Sequence, residues 1–173
     1  MSEAEHPGEQ QLFDFFRKLD IQTTTHRHEA QHTVVQSQEL RGDLPGGHCK
    51  SLFLKDKKGK LWLIVALEDR EINLKILYKP IGAARLSFGN ADLMWEVLGV
   101  RPGSVTPFSL INDTDKQINV VLDQGMLEMD LLNYHPLHNE ATTAITPADL
   151  LRFVEATGHE PQKIDLSAPV DDA

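Results

Sequence analysis

Leu12, Phe13, Phe16 and Leu19 recur at the spacing of one helix face, with Glu9 ahead of them and Arg17 and Lys18 behind. Acidic residues before and basic residues after suit the helix dipole, so the chain is predicted to open with an amphipathic helix. Residues 21–29 alternate and are rich in threonine, the pattern of a strand. Thr33 is placed to cap a short helix running to Gln38 and stopping near Gly42, after which residues 43–47 read as a loop. Residues 50–54 and 61–67 flank a turn at Gly59, and the second run is apolar on both faces, which predicts a hairpin with a buried central strand.

Residues 72–78 read as a helix ending before Pro80, and Asn90 caps a helix carrying Leu93, Met94, Val97 and Leu98 to a stop at Gly99. A Pro/Gly loop covers 101–107, and strands are expected at 118–122, 129–133 and 141–145. Thr146 as cap, Pro147 at the first helical position and Gly158 at the close bracket a last helix. Helices and strands mixed in this order predict an α/β fold, a single-domain mixed β-sheet flanked by helices, spanning 1–160 with an acidic tail at 161–173. A chain of 173 residues buries a core of that kind without metal or disulfide.

The net charge of −9 argues against nucleic acid until its distribution is considered. Residues 41–85 hold 10 Lys/Arg against 5 Asp/Glu, whereas the rest holds 7 against 21, so the middle of the chain is able to meet phosphate. The longest apolar run, 61–67, is too short to span a bilayer, and no membrane role is expected. The N-terminus lacks the basic start and apolar run of a secretory signal, and the lone Cys49 suits a reducing compartment, so a cytoplasmic location is expected.

There is no Walker loop, dinucleotide-binding glycine fingerprint, His-Glu-x-x-His or Gly-x-Ser-x-Gly elbow. His26, His28 and His32 fit no zinc spacing, so neither metal nor other cofactor is expected. His48 and Cys49 are adjacent on a strand and point to opposite faces, which rules against a thiolate and its base.

Three segments in order carry a resemblance: Lys50-Ser-Leu-Phe-Leu-Lys-Asp56, Gly99-Val-Arg-Pro-Gly-Ser-Val-Thr-Pro-Phe108 and His135-Pro-Leu-His-Asn-Glu-Ala-Thr-Thr-Ala-Ile145. Together they resemble the freestanding prolyl-tRNA editing family of the YbaK-like fold, in which a strand lysine, a Gly-x-x-x-Pro loop and a His-Pro-Leu-x-Asn turn recur. Two departures stand out: Ser51 follows the lysine where many members have asparagine, and Ser109 stands where glycine is common. The resemblance implies a deacylase that removes alanine from the tRNA for proline, acting on the aminoacylated 3′ end without a covalent nucleophile, with the tRNA 2′-hydroxyl assisting.

On that reading Lys50 and His135 are the candidate catalytic residues. Lys50 stabilises the oxyanion or holds the terminal phosphate, and His135 acts as base or binds the substrate. Substrate contacts are expected from Ser51, from Gly103, Ser104, Val105, Thr106 and Pro107, and from Asn139, with Val34 and Leu52 as pocket walls. Of Thr142 and Thr143, only one is able to line a pocket. The expected partners are tRNA and prolyl-tRNA synthetase, without DNA. A deacylase for Ser- or Cys-charged tRNA and a non-catalytic binding module are the rival readings.

Overall fold

The computed structural model describes residues 7–28 and 45–167. The helix expected from Thr33 to Gln38, the wall residue Val34, and His32 lie outside the described residues.

The predicted hairpin is the centre of the sheet. β1 is Thr24–Arg27, and β2 (Gly47–Asp56) pairs antiparallel with β3 (Leu61–Leu67) from Cys49 opposite Leu67 to Lys55 opposite Leu61. Asp56 organises the turn: Oδ1 accepts from the amides of Lys58 (2.9 Å) and Lys60 (3.0 Å), and Oδ2 from Trp62 Nε1 (3.1 Å) and the Ala84 amide (3.3 Å). Burial opposes the charge of Asp56, but these four donors win and hold its carboxyl below the ordinary range.

The remaining strands are β4 (Leu86–Phe88), β5 (Ile118–Asp123), β6 (Leu132–Tyr134), β7 (Ala141–Ile145) and β8 (Gln162–Ile164). They complete a mixed sheet in the order β1-β7-β6-β2-β3-β5-β8, with β4 pairing the far end of β2. β2 pairs parallel with β6, β3 with β5, and β5 with β8, while β6–β7 and β1–β7 are antiparallel. The C-terminal segment, read as an acidic tail, thus contributes an edge strand.

Among the described residues six helical elements accompany the sheet: α1 (Pro7–Lys18), α2 (Leu74–Ile81), α3 (Ala91–Leu98), a 3-10 turn (Pro107–Asn112), α4 (Gln124–Leu127) and α5 (Pro147–Ala156). Alternation along β3 sends Leu61, Leu63 and Val65 into a large core with Leu12, Phe16, Phe53, Phe108 and Phe153. Trp62 and Ile64 go to a smaller cluster on the other face, with Leu54, Leu77, Ile81 and Val121. Phe108 is the hub of the large core, with edge-to-face contacts to Phe16 (5.2 Å), Tyr134 (5.5 Å) and Phe153 (5.4 Å). Among the described residues no helix is long and apolar enough to cross a membrane.

The caps Asn90 and Thr146 behave as expected, accepting from the amides of Leu93 and Asp149. The helix expected to end before Pro80 instead contains it and stops at Gly82, which has φ 76°. Ile81, 3% exposed, and Leu77 anchor the helix to the smaller cluster, and that burial offsets the amide that Pro80 lacks. The strand expected at 129–133 begins only at Leu132, because the Met129 amide closes a turn on the Met126 carbonyl. The strand expected at 21–29 is formed at Thr24–Arg27.

Candidate functional site

Lys50 sits mid-way along β2 opposite Ala66, and its Nζ donates to the backbone carbonyl of Arg70. Arg70 Nε in turn lies 3.1 Å from Oδ2 of the fully buried Asp123, whose Oδ1 accepts from the Leu166 amide at 2.9 Å. The loop after β3 that receives Lys50 is therefore pinned to the ends of β5 and β8.

Lys50 and Leu52 share the face of the smaller cluster, whereas Ser51, opposite Val65, projects with Cys49 and Phe53 to the large core. The lysine and the serine that follows it do not line one wall. Cys49 is held as a thiol: burial pushes it up to about 12, well outside the range of a reactive thiolate.

The Gly103 loop turns tightly, with Gly103 at φ 91° and the Ser104 amide donating to the Arg101 carbonyl at 3.0 Å. Nothing approaches within 4 Å of where a Gly103 Cβ would stand, so glycine is required here by backbone conformation and not by crowding. Ser104, Thr106 and Pro107 are buried, and Val105 is half-buried. Thr106 Oγ1 accepts from the Phe108 amide at 3.3 Å and starts the 3-10 turn, while the Ser109 hydroxyl donates back to the Thr106 carbonyl. Ser109 thus has a local structural task at the position where glycine is common in the resembled family.

His135 donates Nδ1–H to the Ala141 carbonyl at 3.2 Å; since a carbonyl only accepts, Nε2 is left with its lone pair. Burial, with smaller contributions from the nearby His28 and His138, lowers its pKa from the ordinary histidine value against the opposing Ala141 bond. A neutral imidazole with a bare Nε2 is the form a general base requires.

His138, three residues on, is buried and has a different role. Its Nδ1 accepts from the Glu140 amide (3.1 Å), so its proton is on Nε2, 2.9 Å from Glu9 Oε1. Glu9, 0% exposed on α1, also receives both guanidinium nitrogens of Arg27, at 2.9 and 3.0 Å. Burial works against the charge of Glu9, yet the bonds from Arg27 and His138 hold its pKa below the ordinary value. Neither Glu9 nor His138 was singled out from sequence. An acidic residue in the first turn of a helix is common, and the partners lie 18 and 129 residues away.

A cleft of about 430 Å³ joins these segments. Ser104 from the Gly103 loop and Asn139 from the His135 turn line it, together with Glu9, His138, Arg101 and Trp95. Leu137, in the same lining, holds φ 75°, a strained backbone for a non-glycine residue. Lys50, Ser51, Leu52 and His135 are not among its described lining residues. A second cleft, of about 270 Å³, is lined by Thr24, His26, Asn133 and Thr142. Thr143 is instead buried with its hydroxyl 2.8 Å from that of Thr25, so of the pair Thr142 lines this cleft. Among the described residues, no group of three or more His, Cys, Asp or Glu is placed to hold a metal ion.

Residues 28–153 match the family described as the aminoacyl-tRNA editing domain. The chain belongs to that family. The Gly103 loop and the His135 turn both lie inside the matched range. The chain is 39% identical over 153 residues to "Prolyl-tRNA synthetase associated domain-containing protein 1" of Danio rerio, covering 87% of this chain and 83% of the relative. It is 32% identical over 150 residues to "Prolyl-tRNA editing protein ProX" of Acetoanaerobium sticklandii, covering 86% and 92%. A solved structure assigned as a trans-editing enzyme for prolyl tRNA synthetase superposes with a TM-score of 0.70 at 17% identity, covering 98% of this chain and 100% of that one. At that identity the superposition shows the fold, a mixed sheet flanked by helices.

Proposed function

We propose that this chain is a trans-editing hydrolase that removes alanine from mischarged Ala-tRNA(Pro). The observation that carries the reading is the meeting of Ser104 and Asn139, from two separate segments of the editing domain, in one cleft. The similarity to a prolyl-tRNA editing protein supports proline tRNA as the substrate class.

The aminoacyl ester is already activated, so hydrolysis needs a placed water and a stabilised oxyanion more than a covalent nucleophile. Water adds to the ester carbonyl, and His135 Nε2 takes its proton. The Lys50 ammonium, exchanging its Arg70 carbonyl for the substrate, stabilises the oxyanion or holds the terminal phosphate. As the intermediate collapses, the carbon–oxygen bond to the ribose breaks, and the proton passes to the ribose oxygen with help from the neighbouring 2′-hydroxyl. Gly103 to Pro107 present backbone to the terminal nucleotide, and Val34 and Leu52 complete the substrate contacts. A small pocket that admits alanine and bars proline supplies the discrimination a synthetase lacks, since one methylene is worth only about 1–3 kcal/mol. The substrate is the aminoacylated 3′ end of tRNA, prolyl-tRNA synthetase is the partner that generates it, and the cytoplasm is where both occur.

The test is hydrolysis of Ala-tRNA(Pro) beside Pro-tRNA(Pro), Ser-tRNA and Cys-tRNA, by wild type and Lys50→Ala at one fixed salt concentration. Release of alanine alone, abolished by Lys50→Ala, is expected. Release of serine or cysteine in its place moves the specificity to another small aminoacyl group. Binding of tRNA with no hydrolysis makes the chain a binding module.

A further inference from the structure

On α3 the apolar stripe Met94, Val97 and Leu98 is buried, but Trp95 is 49% exposed. Arg101, exposed on the loop that follows, places its guanidinium carbon 3.8 Å from the centroid of the Trp95 ring. Both border the 430 Å³ cleft that Ser104 and Asn139 also line. Among the described lining residues the carboxylate, Glu9, is paired with Arg27 and His138, and Arg101 contributes a cation.

From this juxtaposition we infer that Trp95 and Arg101 form a stacking platform for the unpaired 3′-terminal nucleotides of tRNA. The inference rests on the proposed deacylase reading and extends it to a second contact zone. Unstacked bases are held on aromatic rings and on guanidinium planes, and every base has a face to offer, so such a platform needs no base-specific donors. Arg101 adds attraction for the adjoining phosphate. Trp95 and Arg101 lie in the acidic remainder of the chain, outside the basic stretch 41–85, and there stacking gives affinity to a single-stranded end without many phosphate contacts. Trp95 and Arg101 lie beside the Gly103 loop, so bases stacked there leave the ester within reach of the residues of that loop.

The two tryptophans make the test direct, because Trp62 is 4% exposed and Trp95 is the ring open to solvent. A short oligoribonucleotide ending in CCA is titrated into wild type, Trp95→Leu and Arg101→Ala while tryptophan emission is followed, and charged-tRNA kinetics are measured on all three. Quenching in wild type that disappears in Trp95→Leu is expected, with KM raised about tenfold in both variants, the effect of losing one base stack, and kcat within about twofold. Absence of quenching, equal quenching by a blunt RNA duplex of the same charge, or an unchanged KM overturns the platform. If wild type hydrolyses no aminoacyl-tRNA yet the CCA oligonucleotide still quenches Trp95, the deacylase reading fails and the platform stands. If hydrolysis proceeds without quenching, only the platform fails.

Discussion

Lys50 Nζ donates to the backbone oxygen of Arg70, a residue 20 positions later in the chain. Arg70 is held by the buried Asp123, so the carbonyl that receives Lys50 is fixed from the opposite side of the sheet's central strands. Asp123→Asn keeps the size of the side chain and removes its charge. It is expected to lower stability by about 2 kcal/mol, as charge-assisted bonds to Arg70 and Leu166 weaken, and to reduce kcat more than it raises KM. Urea unfolding and steady-state deacylation check the two halves. A variant destabilised to this extent with unchanged kcat shows that the Arg70 loop does not position Lys50.

The Glu9 carboxylate ties α1 to β1 through Arg27 and to the His135 turn through His138. Glu9→Ala removes the carboxylate that His138 and Arg27 share and is expected to cost about 3 kcal/mol, the low end for breaking a buried pair, because the Arg27 side chain is 47% exposed and regains water. The folded chain holds the Glu9 pKa below its unfolded value, so this contribution is complete above the ordinary carboxylate range and is lost as pH falls through the lowered value. Urea midpoints measured from neutral to acidic pH are expected to drop less steeply in Glu9→Gln than in wild type.

His135 gives a separate pH signature. Its folded pKa is depressed by burial, so the unfolded chain takes up the proton first as pH falls below about 6.5, and stability declines from there toward the folded value. For catalysis the same shift keeps Nε2 bare in mild acid. The acid limb of kcat is expected to lie below the ordinary histidine value and to vanish with the residual rate of His135→Ala. An unaltered limb in that variant assigns the proton acceptor elsewhere.

The caps and periodic stripes were legible because their signals are local: Asn90, Thr146, the Leu12–Phe16 face and the hairpin around Gly59 each depend on residues a few positions apart. Pro80 misled because tertiary burial of Leu77 and Ile81 outweighs the loss of one amide. β4 and β8, three residues each, carry too few positions to show a period and exist only through pairing with β2 and β5. The motifs of the site were readable as segments, but their grouping was not. The split of Lys50 and Ser51 between faces follows from strand alternation and was available in advance, whereas the meeting of Glu9 with His138 requires the fold. Trp95 did leave a trace, as the one aromatic lying off the buried stripe of its helix.

Gly103 and Gly158 both hold positive φ, at 91° and 88°, but differ in surroundings. A Cβ on Gly158 would stand 2.0 Å from Lys116 Cε, while one on Gly103 meets nothing within 4 Å. Gly103→Ala therefore carries backbone strain alone and is expected to cost about 1–2 kcal/mol in stability. Gly158→Ala adds a displacement of the flexible Lys116 end, and should exceed that cost modestly while leaving deacylation intact. If the Gly103 loop grips the terminal nucleotide, Gly103→Ala is expected to lower kcat/KM at least tenfold at a temperature where the protein remains fully folded. Equal, small activity losses in the two variants would confine Gly103 to a turn-forming role and remove its loop from the substrate contacts.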